Sequence, residues 1–170
     1  GKNSTIIRIH GGAWMVGDKG EANMIQMSKY LASQGYVVFD IQYGLYNMSL
    51  NPSIPDAFKS MPQDESRIGN FTLDDLVRHV GIFTKHLENV SSQYGANLDS
   101  VFVSGGSAGG NLCCSATLAM YNDQFKHWFS DALTIKGYVP LYPANDICRV
   151  EGVNSSEVFI DPKDQVDQYS

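Results

Sequence analysis

The stretch "VFVSGGSAGGNL", residues 101–112, sets an apolar β-type run against four glycines with a single serine, Ser107, at their centre. A glycine-rich turn between a strand and a helix has two common uses, and their spacings differ. A dinucleotide fingerprint needs glycines at offsets 0, 2 and 5, whereas two residues after Gly105 stands Ser107 and two after Gly106 stands Ala108. A P-loop needs Lys and then Ser or Thr after its last glycine, and Gly110 is followed by Asn111 and Leu112. Both phosphate readings fail. The pattern G-x-S-x-G is satisfied by Gly105-Gly106-Ser107-Ala108-Gly109. A strand that reverses sharply into a helix strains its central residue, and small flanking residues let the two segments approach. The strain lifts the Ser107 hydroxyl out of the turn and leaves the Ala108 N–H, at a helix N-terminus, facing the place where a tetrahedral oxyanion would form. Taken alone, the stretch also admits a purely structural glycine turn.

A second motif, "IHGGAW" (residues 9–14), follows the first strand-like run of the chain. An acyl-transfer site needs another backbone N–H at that place to complete an oxyanion hole, and glycines allow the approach. A mere strand-ending turn accounts for Gly11 and Gly12, but not for their coexistence with a serine elbow.

Working outward, "STIIRI" (4–9) and "YVVFDIQY" (36–43) are β-branched runs separated by "EANMIQMSKYLASQ" (21–34). That helix places Met24, Met27, Tyr30 and Leu31 on one apolar face and ends at Gly35. Residues 44–70 contain Pro52, Pro55 and Pro62 without clear periodicity and predict a long surface excursion. Thr72 with Asp75 resembles a capping box, and Leu73, Leu76, Val77, Val80, Phe83, Leu87 and Val90 then recur at steps of three and four up to Gly95. The strand "SVFVS" (100–104), a helix through "NLCCSATLAMY" and the strand "TIKGYVPLY" (134–142) complete the order. Alternating β and α predicts an α/β fold, a doubly wound and mostly parallel sheet with strands buried on both faces.

Composition excludes several classes. With 43% hydrophobic and 18% charged residues the 170 residues read as a single globular domain. A net charge of −6 without a basic stripe argues against nucleic acid as a partner, and no apolar run approaches the roughly 20 residues of a membrane span. The start at Gly1 has neither an initiator Met nor a signal-peptide pattern, which suggests the interior of a longer protein. Cys113, Cys114 and Cys148 show no metal-ligand spacing; the first two read as small buried hydrophobes, and Cys148 is free to pair outside the chain. Asn-X-Ser/Thr sequons occur at Asn3, Asn47, Asn70, Asn89 and Asn154, where roughly one or two would arise by chance. They point to a secreted or lumenal glycoprotein, with a cytoplasmic chain and coincidental sequons as the alternative.

With both glycine motifs in hand, the chain resembles the α/β-hydrolase superfamily, in the carboxylesterase and lipase branch related to hormone-sensitive lipase. "HGGAW" is also similar to the HGGxW pattern of kynurenine formamidases and small esterases. The resemblance implies that Ser107 is the nucleophile, that the N–H groups of Gly12, Ala13 and Ala108 are oxyanion donors, and that His10, Gly11, Gly105 and Gly109 support the two turns. It implies no metal and no organic cofactor, and a small ester as substrate. It also implies that 144–170 begins a cap, lid or loop region, and that the domain is incomplete at both ends.

The triad is where the chain departs from that pattern. In this superfamily the acid and then the histidine follow the serine. His127 is the last histidine and precedes "YVPLYP", while His79 and His86 read as surface residues of the helix before the elbow. Asp146 resembles a non-catalytic aspartate of relatives. The expectation is therefore a serine carboxylester hydrolase truncated before its last strands, whose acid and histidine come from a missing C-terminal part, in a continuation or a separate chain. The alternatives are a non-catalytic α/β-hydrolase-like domain for binding or assembly, and amide hydrolysis of the formamidase type. Trp14, Tyr43 and Tyr46 are candidates for lining the alcohol side of the site, although an aromatic near a loop more often serves packing than recognition.

Overall fold

A computed structural model describes residues 3–21, 23–50, 52 and 54–145. Cys148, Asn154, Asp146 and nearly all of the expected cap or loop region lie outside the described residues. Strand β1 spans Thr5–Ile9, helix α1 Asn23–Ser33 and strand β2 Val37–Ile41. Two short strands, β3 (Leu45–Tyr46) and β4 (Ile68–Gly69), flank the four-residue helix α2 (Asp56–Lys59). Then follow α3 (Leu73–Tyr94), β5 (Val101–Gly106), α4 (Ala108–Met120) and β6 (Ile135–Leu141). The main sheet has the order β2-β1-β5-β6, and all its pairings are parallel.

Helix α3 forms where its local code says it should. The Thr72 side chain accepts from the Asp75 N–H, and the Asp75 carboxylate accepts from the Thr72 N–H, so two orphan donors of the first turn are satisfied. At the other end Gly95 takes a left-handed conformation at φ 66° and its N–H bonds back to Ser91 and Ser92. Leu73, Leu76, Val77, Val80 and Leu87 are buried in a core shared with Ile7, Ile9, Val101, Val103 and Leu112. Each such side chain contributes about 1.5–3 kcal/mol of burial. Phe39 of β2 meets Phe83 and Tyr94 at ring separations of 5.7 Å, which fixes α3 on that face.

Helix α1 covers the opposite face, and its expected apolar stripe is only partly used. Met24 and Leu31 are half-buried, whereas Met27 and Tyr30 remain 44% and 61% exposed. Beneath α1 the neighbouring strand residue Arg8 is buried, donating to Met24 O at 2.8 Å and Ser28 Oγ at 2.6 Å, with Asp40 at 3.7 Å. Beyond Arg8, an apolar groove of about 310 Å³ runs between α1 and the sheet, bordered by Met27, Leu31, Phe102, Val139 and Leu141. The expectation of strands buried on both faces holds for β1 alone; among the described residues no strand pairs with the outer edge of β6, and Tyr138 and Val139 are exposed.

Residues 44–70 differ from the surface excursion that their prolines suggest. Leu45, Tyr46, Met48 and Ile54 are buried in the main core, and β3 pairs with β4 in parallel. Gln63 ties the segment down by donating to Met15 O at 2.6 Å and Tyr46 O at 2.8 Å. Isolated apolar anchors without period are invisible to pattern reading, yet each buries as much surface as a periodic one.

Candidate active site

The chain passes from β1 through α1 to β2 in one direction across the sheet and from β5 through α4 to β6 in the other. The strand order thus reverses between β1 and β5, which are in register from Thr5↔Val101 to Ile9↔Gly105. Parallel sheets open a crevice beyond the carboxyl ends of such a pair. Both glycine motifs sit there, one at the end of each strand.

At the end of β5, Ser107 adopts φ 55° and ψ −121°. A non-glycine residue there carries about 1–3 kcal/mol of strain. The surrounding glycines show why it is held. A Cβ at Gly105 would lie 2.1 Å from Gly109 O, and a Cβ at Gly109 would lie 2.2 Å from Ile9 O and 2.4 Å from His10 O. The Ser107 N–H donates to Leu141 O at 3.0 Å, tying the elbow to β6. The Ser107 side chain makes no capping bond to α4. The amide of Ala108, as the first residue of α4, has no intrahelical acceptor, and the helix dipole adds positive potential at that point.

At the end of β1, the second turn curls on itself. Gly12 has φ 116°, Ala13 and Trp14 have φ 50° and 61°, and the N–H groups of Met15 and Val16 both donate to Gly12 O, at 3.0 and 2.9 Å. With that carbonyl turned back, the N–H groups of Gly12 and Ala13 find no acceptor among the described residues. The turn abuts the elbow directly: a Cβ at Gly11 would stand 2.9 Å from Gly106 O and 3.4 Å from the Ser107 Cβ. His10, Gly11, Gly12, Gly105, Gly106 and Ser107 border one open cavity of about 600 Å³, with Met24, Met27, Met61 and Leu141 as its apolar wall. Ala13 and Ala108 adjoin the cavity in the chain while their side chains pack with the core.

His10 is 2% exposed, stacks on Tyr43 at 4.2 Å and pairs through Nδ1 with Gly11 O at 2.7 Å. A carbonyl oxygen only accepts, so Nδ1 carries the proton. Burial lowers the His10 pKa below its ordinary value, against the raising effect of the Gly11 bond. The ring is a neutral brace, and Tyr43 completes it by donating to His10 O at 3.0 Å. Trp14, Tyr43 and Tyr46 are 3%, 1% and 7% exposed and none borders the cavity, so they serve packing and do not line the alcohol side. His79 is also corrected: it is half-buried, and its Nδ1 accepts the Gly44 N–H at 3.1 Å. His86 and His127 are exposed, as expected of the former. Among the described residues no imidazole bonds to Ser107, and no three His, Cys, Asp or Glu side chains gather as metal ligands.

The family described as BD-FAE matches residues 1–60. The chain is 28% identical over 153 residues to the probable carboxylic ester hydrolase LipM of Mycobacterium tuberculosis, covering 89% of this chain and 30% of that protein. Esterase B of Lactobacillus rhamnosis, solved with a C6-C4 SN3 inhibitor, is 25% identical with a TM-score of 0.58, over 87% of this chain and 41% of its own. A lipase/esterase of Lactobacillus plantarum superposes with a TM-score of 0.69 at 11% identity, over 99% of this chain and 59% of its own. The chain has the α/β-hydrolase fold. Its likenesses lie in the carboxylesterase and lipase branch, and it spans about a third to three fifths of the length of these relatives.

Several residues of this hydrolase fold's site carried no local signal. Tyr142, at φ 38° and 80% exposed, lays its phenol on the bare backbone of Gly106, where a Cβ would come within 2.8 Å of the hydroxyl. Arg67 ties two distant segments together, pairing with the cavity-lining Asp18 at 2.6 Å and donating to Gln42 at 3.2 Å, with its near neighbour Asp64 at 3.0 Å. Met61 reaches the cavity from residues 44–70. Only the three-dimensional path of the chain brings these groups to the glycine turns.

Proposed function

We propose that this chain is the nucleophile-bearing part of a serine carboxylester hydrolase. The single observation that carries the reading is the contact between the two turns: the strained Ser107 elbow lies against Gly11, at the point where the strand order reverses. Ser107 Oγ attacks the ester carbonyl carbon, and the carbonyl electron pair moves to oxygen. The N–H groups of Gly12, Ala13 and Ala108 receive that oxyanion, each such donor being worth about 10²–10³ in rate. Collapse expels the alcohol and leaves an acyl-serine, which water hydrolyses. A serine hydroxyl needs an adjacent base; the histidine and its orienting acid come from the part of the fold that these 170 residues do not span. The same part covers the apolar groove beside α1 and pairs with β6. The substrate is a small ester whose apolar portion lies along Met24, Met27 and Met61.

Treating the full-length protein with a fluorophosphonate probe tests the assignment. The expected result is covalent labelling that maps to Ser107 and disappears in Ser107→Ala, together with a loss of short-chain ester hydrolysis of about 10⁴-fold or more. Equal labelling of the variant, or no labelling of the wild type, overturns the nucleophile and favours a binding role for the domain.

A further inference from the structure

The sequons lie outside the chemistry above, and the fold sorts them. Asn3, Asn70 and Asn89 are exposed, whereas Asn47 is half-buried between Tyr46 and Met48, which are 7% and 5% exposed. None of these four asparagines borders the cavity that holds Ser107. An asparagine that carries a glycan keeps its Oδ1 and one N–H, so its native hydrogen bonds survive, but its Nδ2 must open to solvent. Asn89 meets that condition on the outer side of α3. Its Nδ2 donates to Lys85 O at 3.0 Å, one turn back along a helix whose buried positions include Leu76, Val80 and Leu87. Asn70 meets it three residues before the first residue of the same helix, where the sequon hydroxyl of Thr72 serves afterwards as the N-cap, accepting from Asp75 N at 3.3 Å. Asn3 meets it in the turn that leads into β1, at φ 87°. Asn47 is the exception by burial: it is half-buried between two buried neighbours, and its backbone N–H is fixed to Gly69 O at 3.0 Å.

We propose that Asn3, Asn70 and Asn89 are acceptors of N-linked glycans, that Asn47 is not, and that the protein passes through a secretory lumen. The donor is an oligosaccharide carried on a polyprenyl diphosphate and transferred to the nascent chain. Asparagine Nδ2 attacks the anomeric carbon, the new C–N bond forms as the C–O bond to the diphosphate breaks, the diphosphate leaves with that electron pair, and Nδ2 gives up one proton. No redox partner is involved. None of the three acceptors borders the cavity, so their glycans leave the walls beside Ser107 unmodified.

The test is mass spectrometry of the full-length protein from its own source, with peptide-N-glycosidase release in ¹⁸O water. Isotope-tagged aspartate is expected at 3, 70 and 89 and unmodified asparagine at 47. Asn70→Gln is expected to lose one glycan step while keeping folding and activity. Thr72→Ser keeps the glycan, and Thr72→Ala loses it. A site of the three found unmodified overturns its assignment, a tag at 47 overturns the burial criterion, and no release at any of them overturns passage through the lumen. Ser107 labelling is indifferent to all of these outcomes, so the two proposals fail separately.

Discussion

Replacing Gly109 by alanine perturbs the closest approach between the two turns. The new Cβ would stand 2.2 Å from Ile9 O and 2.4 Å from His10 O, where ordinary contact begins at 3.4 Å. Both obstacles are main chain, so no rotamer relieves them, and either the end of β1 or the first turn of α4 must yield by about 1 Å. Overpacking of this kind costs about 1–3 kcal/mol of stability. The same shift carries Gly11 and Gly12 away from Ser107, and a misplacement of about 1 Å lowers rate about 10²-fold. Gly95→Ala is the matched control, because Gly95 has φ +66° with nothing within 4 Å. It therefore loses only the left-handed backbone preference, about 1–2 kcal/mol, and has no route to the elbow. Urea denaturation of the full-length variants measures the first effect, and the rate of fluorophosphonate labelling measures the second. Both variants should lose comparable stability, and only Gly109→Ala should label about 10²-fold more slowly. If Gly109→Ala labels at the wild-type rate, or Gly95→Ala slows labelling as much, the contact between the turns does not set the geometry of the site.

Two further predictions concern buried titratable groups. Burial lowers the His79 pKa from its ordinary 6.5, with a smaller raising effect from Asp75, and the Gly44 N–H needs an unprotonated Nδ1 as its acceptor. The unfolded chain therefore takes up this proton at higher pH than the folded one. The associated stability is complete above the unfolded pKa and falls as pH drops below about 6.5. Urea midpoints should decline from pH 7.5 to pH 5, and His79→Phe should flatten the slope; an unchanged slope refutes the role of this imidazole. Cys113 is fully buried, its Sγ lies 3.3 Å from Val103 O, and burial pushes its thiol up to about 12. Iodoacetamide at pH 8 should spare Cys113 in the folded protein and modify it in urea, with the half-buried Cys114 reacting first; native modification of Cys113 at the rate of a free thiol rules out this packing.

Local chemistry made much of this molecule legible. The Thr72–Asp75 box, the left-handed Gly95 and the stepped apolar residues between them specify α3 through contacts within a few residues, so one stretch of chain contains all the information. The glycine elbow is legible for a similar reason, since a sharp reversal from strand to helix excludes side chains at fixed offsets. The stripe on α1 misled because periodicity reports which residues share a face and says nothing of what covers it; Met27 borders a groove instead of a core, and Tyr30 is exposed. Residues 44–70 misled for the opposite reason, as Leu45, Tyr46, Met48 and Ile54 are buried singly, at places set by distant neighbours.

From its sequence alone the chain fixes alternating elements, a parallel sheet and two glycine turns able to serve an acyl-transfer site. Tertiary structure decides that the two turns meet, because only parallel pairing of β1 with β5 places Gly11 beside Ser107 across almost a hundred residues of chain. It also decides that Tyr43 and Trp14 brace the site from the core instead of lining it. Periodicity and turn chemistry act over a few residues. Register and burial depend on the whole sheet, and no window of sequence contains them.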